Sequence, residues 1–295
     1  MALLPAPEET YFALDSIELA GLRWGDPNAP LVVALHGWLD NGNSFAPLAP
    51  HLVAAGYQLL ALEFPGHGHS QNRHQGNYYH FLDYLYELHQ LWPQLPRRPV
   101  LVLGHSMGGI IASLFAALYP QQVARLMVVE AMGPLTAAPE QTLEKMRQGF
   151  ASRDKPTSQA SYRDIDALVT ARAKAGQFDV ETARLLLQRN LHQQPDGRWC
   201  WRSDPRLRMR SPWMMTDAQA QNLMQGLMTP TCFVLGQGGF DELRSAWQAR
   251  RHWFADARLE LIEGGHHCHM QQPQQLLRLI LQFIDVKSSE HTGLD

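Results

Sequence analysis

The residues Leu101–Ile110 read LVLGHSMGGI, a serine with glycine two positions to either side. An apolar run of strand type precedes Ser106, and the apolar helical stretch MGGIIASLFAALYP follows it. A G-x-S-x-G pentapeptide in that setting makes a nucleophile. The turn from strand to helix is so sharp that the serine takes a strained backbone, and its neighbours two residues away must lack a Cβ. The strain lifts the hydroxyl clear of the sheet, and the helix N-terminus aims its free N–H groups at the same place.

A serine hydroxyl attacks poorly unless a base takes its proton. In chains built this way the order is serine, acid, histidine. The late segment LIEGGHHCHMQQP offers His266, His267 and His269. His266 is preferred because it follows Gly264-Gly265 directly after a strand, with His269 second. His267 and His269 read as a packed residue and a supporting partner. Three histidines with Cys268 also raise metal binding, but they are too crowded for the usual zinc spacing, and no metal is expected. The base needs a carboxylate on its other ring nitrogen. Asp241, after the strand TCFVLG, and Glu130, at the end of MVVE, both end up at one edge of the sheet, with Asp241 preferred. The backbone N–H groups of Met107 and of Trp38, the latter in the loop after LVVALHG, are the expected oxyanion donors. His36 reads as a brace for that loop, and FPGHGHS as a structural turn.

These groups need a scaffold. LVVAL, QLLAL, LVLG and LMVV are continuous apolar runs, as in strands covered on both faces. Helical patterns alternate with them, YYHFLDYLYELHQLW the clearest. The alternation implies an α/β fold with a mostly parallel sheet and helices on both faces. The rhythm breaks between Pro134 and Leu227. Residues 1–133 with 228–295 are therefore expected to form the core. Residues 134–227 would be an all-helical insertion acting as a lid, with one short extended piece at GRWCWR. His105, Trp199, Trp201 and Trp213 are the expected pocket lining, with several methionines of the insertion nearby. The tail after Lys287 reads as frayed.

Composition narrows the partners. A net charge of −3 without a basic block removes the simple case for nucleic acid. No apolar run reaches the roughly 20 residues of a membrane span, and the start has no secretory pattern. Cys200, Cys232 and Cys268 are odd in number and far apart, which points to reduced thiols and a cytoplasmic setting. Composition does not decide between monomer and dimer.

HGW, PGHGHS, GHSMGG and a late GGH followed by Pro273 stand in the order found in α/β-hydrolase-fold proteins, and the chain resembles that family over most of its length. HGWLDNGNSF, GGFD and GGHHCHM narrow the resemblance to serine hydrolase-like proteins. The resemblance implies an α/β-hydrolase fold, Ser106 as nucleophile, His266 as base and the Trp38 and Met107 amides as oxyanion donors. Its register to Pro273 selects His266 over His269. The family's acid usually stands three residues after a glycine, whereas Gly236 and Asp241 are five apart. Members with the acid after the earlier strand would place it at Glu130. The reading is a carboxylesterase-like serine hydrolase, needing no cofactor, acting on an ester or thioester of a small to medium apolar or aromatic acid. A C–C bond hydrolase or a cofactor-free perhydrolase (haloperoxidase-like) on the same triad is the alternative, and a non-catalytic ligand-binding protein the third reading.

Overall fold

A computed structural model describes residues 6–155 and 160–285, so the tail expected to fray lies outside the described residues. Eleven strands occur among them. They are β1 (Glu8–Ala13), β2 (Glu18–Trp24), β3 (Leu31–Leu35), β4 (Gln58–Leu62), β5 (Leu101–His105), β6 (Leu126–Val129), β7 (Ser161–Tyr162), β8 (Leu191–Gln193), β9 (Trp199–Trp201), β10 (Thr231–Gly236) and β11 (Ala257–Ile262). The helices are α1 (Ala49–Ala54), α2 (Phe81–Leu91), α3 (Met107–Leu118), α4 (Thr142–Arg153), α5 (Ile165–Gly176), α6 (Val180–Asn190), α7 (Asp217–Gln225), α8 (Asp241–Arg250), α9 (Cys268–Gln271) and α10 (Pro273–Asp285).

The main sheet has eight strands in the order β1-β2-β4-β3-β5-β6-β10-β11. β2 runs antiparallel to both neighbours, and the other pairings are parallel. Alternate side chains of the apolar runs enter two separate cores. Leu31, Val33 and Leu35 pack on one face with Ile111, Phe115 and Leu88. Val32 and Ala34 pack on the other with Leu52, Leu276 and Ile280. A strand covered on both faces must be apolar at every position, which is why these runs do not alternate. All six parallel strands end at one edge of the sheet, where an open α/β sheet collects its functional loops.

The segment between β6 and β10 is not all-helical. β7, β9 and β8 form a second, antiparallel three-stranded sheet there, and the extended piece expected at GRWCWR is its central strand. Trp199 and Trp201 are two apart in β9 and so face one way. Both pack against the small core of α5 and α6 formed by Val169, Ala173, Leu186 and Leu187. α7 behaves differently from the rest of this segment: its Ala220 and Met224, with Leu227 just beyond it, are buried in the main core beside α3. No helix among the described residues is long and apolar enough to cross a membrane.

Candidate active site

The turn after β5 has the expected geometry. Ser106 sits at φ 50°, ψ −117°, and its N–H donates to the Val129 carbonyl at 2.8 Å. The flanking glycines are sterically required. A Cβ on Gly104 would lie 2.6 Å from the Gly108 carbonyl oxygen, and one on Gly108 would lie 2.2 Å from the Leu35 carbonyl oxygen. The Ser106 Oγ lies 3.1 Å from His266 Nε2. His266 stands after β11, in a loop that folds back on the turn after β10: the Gly238 N–H donates to the Gly264 carbonyl at 2.9 Å.

Glu130, and not Asp241, meets the other side of that ring. The Glu130 Oε2 lies 3.1 Å from His266 Nδ1, and its Oε1 accepts the Gly236 N–H at 2.7 Å. Glu130 is buried and takes φ 55°, a left-handed conformation that a long side chain adopts only under tertiary constraint. Gly239 leaves room for the carboxylate, since a Cβ there would come within 2.3 Å of Oε1. The five-residue spacing from Gly236 explains what becomes of Asp241. The turn at 237–240 brings Phe240 against the His266 ring, with centroids 4.5 Å apart. Asp241 then opens α8 as an exposed first-turn residue, where its charge suits the helix N-terminus, and it makes no hydrogen bond to His266.

The loop after β3 carries Trp38. Among the described residues neither the Trp38 N–H nor the Met107 N–H has a hydrogen-bond partner. The segment between β6 and β10 holds this loop through four side chains of the WLDNGN stretch. Trp38 Nε1 donates to the Leu207 carbonyl at 3.0 Å, and Asp40 pairs with Arg172 of α5 at 2.7 Å. Asn41 and Asn43 donate to the Leu186 and Leu185 carbonyls, both at 2.9 Å, midway along α6. Leu39, at φ 61°, is kept in its left-handed turn by Asn190, which donates to its carbonyl at 3.0 Å. His36 braces the same loop. Its Nδ1 donates to the Gly37 carbonyl at 2.7 Å, and its Nε2 accepts the Phe64 N–H at 3.1 Å.

His105 does not line a pocket. It is buried behind the triad, and its Nε2 donates to the His266 carbonyl at 2.8 Å. Its ring packs 4.0 Å from that of His269, centroid to centroid. His267 reaches Asp40 at 3.2 Å, and His269 reaches Ser44 at 2.8 Å. Asp40, His105 and His267 bring one donor atom each within 4.8 Å of one another, a set that could hold a metal ion. The Arg172 ion pair and the His267 hydrogen bond already explain where Asp40 points. Of the four residues expected to line the pocket, only Trp213 borders the cavity beside α3, a space of about 470 Å³ whose walls include Phe81, Ile110, Leu114, Met214 and Met215. Trp199 and Trp201 are committed to the second sheet. The three cysteines are buried and unpaired.

The match to known proteins follows this geometry. The family model described as alpha/beta hydrolase fold matches residues 30–273. The chain belongs to the alpha/beta hydrolase fold family. It is similar to a serine hydrolase-like protein of Danio rerio, 26% identical across 93% of this chain and 87% of that one. A crystal structure of hypothetical protein PA1622 of Pseudomonas aeruginosa PAO1 is 33% identical, with a TM-score of 0.84 over 94% of this chain and 99% of that one. The thioesterase domain from the curacin biosynthetic pathway is 25% identical, with a TM-score of 0.85 over 94% and 100% of the two chains.

The buried histidines tie stability to pH. Burial lowers the pKa of His36, His105 and His269, and takes His67 down to about 3. All four are neutral in the native state and protonate near pH 6.5 once unfolded, so below that pH the unfolded chain binds more protons. Each then lowers stability as the pH falls. Glu87 works in the opposite sense for one proton, since burial raises its carboxyl to about 7. The histidines outnumber that one carboxyl, so stability is predicted to be lower at pH 5.5 than at pH 7.5. Denaturant unfolding at the two values measures it, and equal midpoints and slopes would contradict it.

Proposed function

We propose that this protein is a serine hydrolase that cleaves a carboxylic ester or thioester through an acyl-enzyme on Ser106. The observation that carries the reading is the unbroken line from Ser106 Oγ through both nitrogens of His266 to Glu130, each step 3.1 Å. Ser106 attacks the acyl carbon as His266 Nε2 takes its proton. Glu130 keeps the remaining ring proton on Nδ1 and stabilises the cation that forms. The oxyanion sits against the Trp38 and Met107 N–H groups, the latter at the positive end of α3. His266 returns its proton to the leaving alcohol or thiol. It then draws a proton from water, which attacks the acyl carbon, frees the acid and restores Ser106. No cofactor enters these steps.

The insertion acts as a lid in this reading. Trp38, Asp40, Asn41 and Asn43 tie its position to the loop that bears an oxyanion donor, so closure and catalytic geometry are coupled. The cavity begins one helical turn beyond Ser106, at Ile110, and continues to Leu114. Its apolar walls suit an acyl chain. The test is hydrolysis of 4-nitrophenyl esters of increasing length by wild-type protein. The expected result is a kcat/KM that rises from acetate through hexanoate. Rates that fall steadily beyond two carbons would overturn the acyl-pocket reading.

A further inference from the structure

We propose that the acyl group accepted by this cavity carries a negative charge, and that Lys145 is the cation that recognises it. The inference rests on the ester- or thioester-cleaving reading above and names the substrate class for it. Among the residues bordering the cavity there is no aspartate or glutamate, while Lys145 and Arg210 are basic. Three of the polar neighbours, Gln148, Arg210 and Ser211, are already occupied. Gln148 accepts from Arg210 Nη1 at 3.0 Å and donates to Glu144 at 2.7 Å. The Ser211 hydroxyl donates to the Trp213 carbonyl at 2.6 Å.

The His80 ring at the rim is also unengaged among the described residues, but Lys145 is the one that brings an ammonium. It is half-buried in α4, against a wall that is otherwise largely apolar, and it makes no ion pair or hydrogen bond among the described residues. Its own helix offers no counter-charge, because positions 141, 142, 148 and 149 are Gln, Thr, Gln and Gly. The adjacent Glu144 lies about 100° around the helix and is engaged by Gln148. An ammonium partly withdrawn from water without a partner is a cost that an anionic ligand removes. A carboxylate, phosphate or sulfate on the acyl chain would pair with it. The apolar part of the chain would then lie along Ile110 and Leu114, four and eight residues beyond Ser106 on one face of α3.

The experiment compares two ester series of six to ten carbons on wild type, Lys145→Gln and Lys145→Arg. One series comprises mono(4-nitrophenyl) esters of linear dicarboxylic acids, the other 4-nitrophenyl esters of the matching monocarboxylic acids. The expected result is that at one or more lengths wild type prefers the anionic ester in kcat/KM. Lys145→Gln should lower the anionic-to-neutral ratio about tenfold, chiefly through KM, as for one charge-assisted hydrogen bond, while Lys145→Arg retains most of the preference. A neutral preference at every length, or a ratio unchanged in Lys145→Gln, would overturn the proposal while leaving the hydrolase reading standing. Failure to turn over either series would instead overturn the role given to Ser106, and this proposal with it.

Discussion

Glu130→Gln is expected to lower kcat on an activated ester by about 10⁴ at neutral pH, while Asp241→Asn leaves it unchanged. The size of the effect follows from the two hydrogen bonds of the carboxylate. The Gly236 N–H needs an acceptor, so the glutamine carbonyl stays where Oε1 is now. That turns the amide NH₂ toward His266 Nδ1, where the carboxylate had accepted. The imidazole must then carry its proton on Nε2, facing Ser106, and can no longer take the serine proton. The fold is retained, because the bond to Gly236 is kept and the volume is the same. Steady-state kinetics of the two variants beside wild type measure this. A large loss in Asp241→Asn with a small one in Glu130→Gln would reverse the assignment.

Ser106→Ala is expected to cost more, about 10⁶ in kcat, since it removes the acyl-enzyme route. Alanine brings no new strain, because Ser106 already holds a Cβ at φ 50°. The thermal midpoint of this variant should therefore match wild type within a few degrees, and the loss of turnover is chemical rather than structural. Activity in Ser106→Ala comparable to wild type would place the chemistry elsewhere.

Much of this arrangement was legible in the sequence where sterics leave few choices. Gly104 and Gly108 are dictated by backbone atoms less than 3 Å from any added Cβ, so the pentapeptide carries its own geometry. The apolar strands were legible because both faces of the sheet are covered. Glu130 was harder, since its role depends on a left-handed backbone and on Gly239, a neighbour in space more than a hundred residues away. The five-residue gap from Gly236 to Asp241 was the available signal. His105 was misread as pocket lining, whereas its ring is fully buried and its Nε2 is spent on the His266 carbonyl, a contact that only the folded late loop creates. The second sheet was partly missed because strands of two and three residues leave almost no period to detect. The hold of the segment between β6 and β10 on WLDNGN was not visible at all, since three of its bonds go to backbone carbonyls, of Leu185, Leu186 and Leu207, that any sequence supplies.

Intact-mass measurement after exposure to a fluorophosphonate tests the central claim most directly. The account predicts one adduct per chain on wild type, mapped by peptide digestion to the segment holding Ser106, slow labelling of Glu130→Gln and none of Ser106→Ala. An adduct on a different residue, or a wild-type chain that stays unlabelled while folded, would contradict it.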